Sequence, residues 1–181
     1  MDQALTLWIE EVKRFNGRLH LVSPSLEATL HEQVRDTMDL LGSVREGRIA
    51  DLGSGSGFLG IPYKVMNPEA KVSLIERSGK KCLFLRHVID RLGLKDIDVV
   101  EADPLKRPVG PFPALMSRSF SPRESLVKAV LSCLSLPGRF CYIQTGDPEE
   151  ISHPQFSLKE RVTREYGGYR LNLDTYLVTS R

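Results

Sequence analysis

Ile49-Ala-Asp-Leu-Gly-Ser-Gly-Ser-Gly-Phe-Leu-Gly-Ile-Pro62 decides how this chain is read. Its first residues carry a short apolar strand. Gly53, Gly55 and Gly57 then alternate through a tight turn, and a helix is expected from Leu59 to Met66. Glycine in such places permits positive φ and lets a ligand approach the main chain closely. Strand, glycine turn and helix in that order open a βαβ unit, whose binding crevice lies beyond the carboxyl end of the strand.

Working outward, short apolar runs at Lys71–Ile75, Ile97–Val100, Ala114–Ser117 and Arg139–Gln144 alternate with helical patterns at Lys80–Leu92 and Arg123–Leu136. Repeated βα steps, five by this reading, imply a parallel sheet with helices on both faces. Phe156–Tyr166 and Arg170–Ser180 read as two strands joined through Gly167-Gly168, a hairpin added antiparallel to the sheet edge. The stretch Pro104–Pro113 reads as a surface loop. Upstream, Trp8, Val12, Phe15 and Leu19 recur at helical spacing, predicting a helix over residues 3–21. Ser23-Pro24 supplies a cap and a helix start, and a second helix is expected from about Leu26 to Leu41. The expected division is a helical extension, residues 1–47, and an α/β domain, residues 48–181.

The 181 residues are 41% apolar with a formal net charge of +2, which permits an anionic partner without demanding one. Residues 1–48 hold 6 basic and 8 acidic side chains, so the first helices are no basic clamp; they are expected to cover the sheet or frame a cleft. Cys82, Cys133 and Cys141 are odd in number and form no CxxC pair, and the four histidines show no metal-ligand spacing. No signal-peptide pattern opens the chain, and no apolar run approaches the ~20 residues that span a bilayer. A cytoplasmic, non-membrane protein is expected.

The glycine turn alone does not choose its ligand, since a carboxylate or a pyrophosphate would suit it. No GK[ST] follows, which removes a P-loop. Gly55-x-Gly57-x-x-Gly60 formally satisfies the dinucleotide pattern, but Asp51 stands four residues before Gly55. A carboxylate there repels pyrophosphate and attracts an α-ammonium group. Glu76, closing the next strand, can accept from both ribose hydroxyls. Asp103 can accept from an adenine amine, with Phe58 and Leu105 beside the ring, and Ser54 can bond to the ligand. The constellation favours S-adenosylmethionine over NAD. Arg118, at the end of the fourth strand in Ser117-Arg118-Ser119-Phe120, should reach the cleft and orient cofactor or phosphate. Arg77 is placed beside the cofactor, and a polyanion contact is expected at Arg77, Lys80, Lys81 and Arg123.

These residues resemble the glucose-inhibited division protein B family, bacterial methyltransferases of guanine N7 in small-subunit ribosomal RNA. Asp51–Pro62 is similar to its extended glycine motif, and Glu76-Arg77-Ser78-Gly79-Lys80-Lys81 with Phe84-Leu85 follows its second-strand pattern. Phe15-Asn16 resembles its Tyr-Asn, Asp36-Thr37 its Asp-Ser, and Ser117-Arg118-Ser119 its Ser-Arg-Ala except at the last position. The chain departs from the family at Gln33, where histidine is common, at His20, and at Gln144-Thr145-Gly146 in place of Leu-Lys-Gly. The resemblance implies a Rossmann-like class I methyltransferase fold, S-adenosylmethionine as cofactor, and small-subunit ribosomal RNA or a ribosomal particle as partner, with a monomer favoured. Guanine N7 carries an in-plane lone pair and no proton, so no general base is expected. A methyltransferase of another substrate, a non-catalytic ribosome-associated binding module and an NAD-dependent oxidoreductase are the alternatives.

Overall fold

The computed structural model describes residues 2–118 and 122–180. Helix α1, Gln3–Leu19, starts where the Asp2 carboxylate accepts from the Ala4 N–H at 2.7 Å and stops where His20 turns left-handed at φ 48°. Its buried stripe is Leu5, Trp8, Ile9 and Val12, with Phe15 and Leu19 packed at the margin of the same core. The single helix expected over Leu26–Leu41 is two: α2, Pro24–Ala28, and α3, Leu30–Leu41. Ser23 and Pro24 start α2 as expected, its cap accepting from the Leu26 N–H at 3.3 Å. Thr29 breaks the run at φ −117° and ψ 23°, its hydroxyl donating back to the Ser25 carbonyl. Side-chain bonding of this kind competes with the helix ladder.

The sheet holds seven strands in the order β3-β2-β1-β4-β5-β7-β6. They are β1 Arg48–Leu52, β2 Lys71–Glu76, β3 Ile97–Glu101, β4 Phe112–Arg118, β5 Leu134–Thr145, β6 Phe156–Tyr166 and β7 Tyr169–Val178. The first five run parallel, and β7 lies antiparallel between β5 and β6. The mostly parallel sheet and terminal hairpin are therefore as read from the sequence. Three helices serve the sheet: α4 Gly60–Met66, α5 Gly79–Leu92 and α6 Arg123–Cys133. The expected five βα steps are thus too many, because no helix follows β3 or β5. After β3 the chain carries Pro104, Pro108 and Pro111, which withhold backbone donors from a helix. The Ser132 hydroxyl pins that loop by donating to the Pro104 carbonyl at 3.0 Å.

Two cores follow from the strand pleat. Ile49, Leu74, Ala114, Met116 and Ile143 face one side, under α1, α3, α4 and α5. Ala50, Leu52, Ile75, Leu115 and Tyr142 face the other, under α6. The N-terminal helices share the first core with the sheet, so their apolar faces are buried by the segment that follows them. Glu11, on α1, binds Arg91 at 3.1 Å and His87 at 2.8 Å, tying α1 to α5. At the other end the hairpin clasps α3, the Tyr166 hydroxyl donating to Asp39 and the Tyr169 hydroxyl to Asp36. Within the hairpin, Arg161 makes a two-pronged contact with the fully buried Asp174 at 2.6 and 2.7 Å.

Candidate functional site

The strand order reverses direction between β1 and β4, where Asp51 pairs in register with Met116. Crevices open at such points beyond the strand ends. The glycine turn sits there, with Gly53, Gly55 and Gly57 at φ 77°, 56° and 80°. Its amides are largely spoken for: Gly53 and Ser54 donate to the Ile75 carbonyl, Gly57 to the Ser54 carbonyl, and Gly55 to Glu76 Oε2 at 2.9 Å. The indole of Trp8 donates to the Ser56 carbonyl at 3.0 Å, so α1 holds the turn from outside.

A cleft of about 460 Å³ lies between this turn and the chain from Leu21 to Gln33. That is within the ~300–1,000 Å³ typical of ligand pockets. Asp51, Gly53, Ser54, Gly55, Phe58 and Arg118 all line it. Asp51 is 2% exposed and accepts from the Gly60 N–H at 3.0 Å. The first amide of α4 is therefore taken by Asp51. Burial pushes this carboxyl up to about 7, against partial relief from the Gly60 amide. An acid so poised gains from a cation placed against it.

Arg118 arrives from the end of β4, as expected. Its guanidinium lies 4.5 Å from the Phe58 ring centroid and donates to Gln33 Oε1 at 3.1 Å, with a longer contact to the Thr37 hydroxyl at 3.5 Å. Burial lowers its pKa, and among the described residues it has no carboxylate in salt-bridge range. A desolvated cation held by a ring and neutral acceptors leaves its charge for an anion in the cleft.

Other expected residues are placed differently. Gly57 serves packing: an added Cβ would meet Ile61 Cδ1 at 2.5 Å. A Cβ at Gly55 would meet only the Gly53 carbonyl, at 3.9 Å. Glu76 uses both oxygens on main-chain donors, Gly55 and Ser78, and stands behind the turn rather than in the cleft wall. Asp103 accepts from the Leu105 N–H at 3.1 Å, closing a turn beside Glu76, whose carbonyl accepts from Ala102. Arg77 and Lys80 are exposed near the start of α5 and Lys81 is half-buried there, with Lys80 on a groove between α1 and α5 lined by Phe15, Leu83 and Phe84. Arg123, expected to touch a polyanion, instead holds the loop after β5: it donates to the carbonyls of Glu149 and Glu150 and pairs with the Glu149 carboxylate at 2.9 Å. Ser119 and Phe120 lie outside the described residues.

Sequence reasoning did not place Gln33 or Thr145 in the site, yet both line the cleft. Their only signal was departure from the family pattern. The three cysteines are buried and free, and among the described residues no cluster of three His, Cys, Asp or Glu side chains could hold a metal. No described helix is long and apolar enough to cross a membrane.

This architecture is shared with solved structures. A SAM-dependent methyltransferase from Aquifex aeolicus superposes with a TM-score of 0.63 at 16% identity, covering 94% of this chain and 98% of that one. TrmN from Thermus thermophilus gives 0.55 at 18% identity, over 80% and 48%. These likenesses show the Rossmann-like methyltransferase fold. Among curated relatives, ribosomal RNA small subunit methyltransferase G of Roseiflexus castenholzii is 32% identical over 149 residues, 73% of this chain and 63% of that protein. The protein of the same name from Rubrobacter xylanophilus is 59% identical over 56 residues, 31% of this chain and 22% of that protein. The chain thus spans less than two thirds of either relative. The family model described as rRNA small subunit methyltransferase G matches residues 1–162, and the chain belongs to that family, GidB.

Proposed function

We propose that the chain transfers a methyl group from S-adenosylmethionine to guanine N7 of small-subunit ribosomal RNA, acting as a cytoplasmic monomer. The observation that carries this reading is a poised acid and a cation without a carboxylate partner among the described residues, both lining one crevice: Asp51 below the glycine turn and Arg118 on Phe58. NAD would bring a pyrophosphate against Asp51, which the buried carboxylate opposes.

The residues fit the cofactor. Asp51 Oδ2 is held by Gly60, leaving Oδ1 for an α-ammonium group. Gly55 leaves open main chain where a Cβ would stand. Glu76 keeps lone pairs beyond the two amides it accepts from, enough for ribose hydroxyls, and Asp103 flanks it on the adenine side. When bound, S-adenosylmethionine would supply an electrophilic methyl group, with its sulfur as the leaving group. The protein's part is orientation and exclusion of water, which for well-placed reactants is worth roughly 7–11 kcal/mol. Arg118 holds a phosphate of the target strand, and Lys80, Lys81 and Arg77 extend the contact along the backbone. No side chain has to take a proton, because N7 bears none.

The test is transfer of labelled methyl from S-adenosylmethionine to purified small subunits, followed by nucleoside mapping. Label on guanine N7 is expected. Label on protein or on another nucleoside moves the acceptor, and tight binding of NAD without any transfer overturns the reading.

A further inference from the structure

We propose that Gln33 determines base specificity in this cleft, its amide N–H reading the carbonyl oxygen O6 that neighbours guanine N7. The inference rests on the methyl-acceptor reading above and extends it to a position where this chain departs from its family.

The orientation of the carboxamide follows from its partner. Arg118 has only donors, so the Gln33 atom 3.1 Å from its guanidinium is the oxygen. The NH₂ end then has no acceptor among the described residues, on a side chain that lines the cleft. A free glutamine in a groove commonly pairs with adenine, accepting from its amine while donating to N7. Here the accepting end is engaged by Arg118, and a donor to N7 would occupy the lone pair that must take the methyl group. What remains is a donor beside N7, and guanine offers O6 there as an acceptor where adenine offers an amine. Arg118 is assigned to a phosphate in the reading above while it contacts Phe58, Gln33 and Thr37, which leaves the guanine edge to the Gln33 amide. The amide is also neutral, adding no charge where N7 becomes cationic.

The experiment uses small subunits reassembled with ribosomal RNA that carries either guanine or 2-aminopurine at the mapped methyl site. 2-Aminopurine keeps N7 and lacks O6. The unaltered chain should favour guanine by on the order of tenfold in kcat/KM. Gln33→Ala should bring that ratio close to one, and Gln33→Glu, which keeps the bulk and the Arg118 contact but sets an acceptor against O6, should bring it to one or below. A structural lesion would lower both rates together and leave the ratio standing. Cofactor-free competition binding gives a second readout: guanine subunits should compete better for the unaltered chain and no better than 2-aminopurine subunits for either variant. A ratio preserved in both variants overturns the role of Gln33 alone. Failure of the unaltered chain to methylate guanine subunits overturns the parent reading, which separates the two.

Discussion

The Trp8 indole nitrogen donates to the Ser56 carbonyl oxygen at 3.0 Å, joining the first helix to the glycine turn across 48 residues of chain. Both partners are buried, so the bond is shielded from water. Trp8→Phe keeps most of the bulk and strands the carbonyl, at about 1–3 kcal/mol of stability. Trp8→Ala also opens a cavity, for about 3–5 kcal/mol. Urea unfolding measures both. In Trp8→Phe, cofactor affinity measured by calorimetry should fall as well, because the turn loses its outer support.

Asp51 titrates near neutrality, at about 7. An ammonium against it favours the ionised form, so S-adenosylmethionine should bind more tightly from about pH 6 to about pH 8, displacing protons below the pKa. Calorimetry in buffers of different ionisation enthalpy detects those protons. The folded pKa lies above the ordinary value of 3.8, so stability contributed below that value is lost as pH rises through about 7. Asp51→Asn should remove both dependences, binding cofactor weakly and stabilising the apo fold at alkaline pH.

Arg118→Lys keeps the charge and loses the flat contact with Phe58 and the donation to Gln33. Methyl transfer should drop by on the order of tenfold or more in kcat/KM. If Arg118 holds a phosphate, Arg118→Met should reduce the salt slope of RNA binding by roughly one. An unchanged slope would assign the cation to the cofactor instead.

Gly57→Ala and Gly55→Ala separate packing from access. Both positions have positive φ, which costs a side chain roughly 1–2 kcal/mol. At Gly57 the new methyl also strikes Ile61, and Leu85 at 3.0 Å, so a larger loss in thermal melting is expected. At Gly55 the space is open, so the loss should be milder and the main damage should fall on cofactor affinity.

The sheet and its terminal hairpin were legible because apolar runs and glycine turns are local signals. Thr29, which splits the second helix, was not, since the same residue continues many helices and its back-bond to Ser25 depends on geometry. The absent helix after β3 was half legible: the prolines marked a loop, but counting βα steps by analogy overrode them. Asp51 and Arg118 were legible as cleft-lining residues because strand ends in a parallel sheet converge. Glu76 and Arg123 also engage nearby main-chain groups, contacts that their place at strand and helix ends did not reveal. Gln33 could not be placed from periodicity, because its partner lies 85 residues away on another element.

The clasp between the hairpin and α3 has a mechanical consequence. Tyr169 reaches Asp36 across 133 residues, and the next residue of α3, Thr37, touches Arg118. The hairpin is thus a brace behind the cleft wall that carries Gln33 and Arg118. A loosened ribbon tip would let that wall drift, blurring selectivity with no substitution inside the crevice itself.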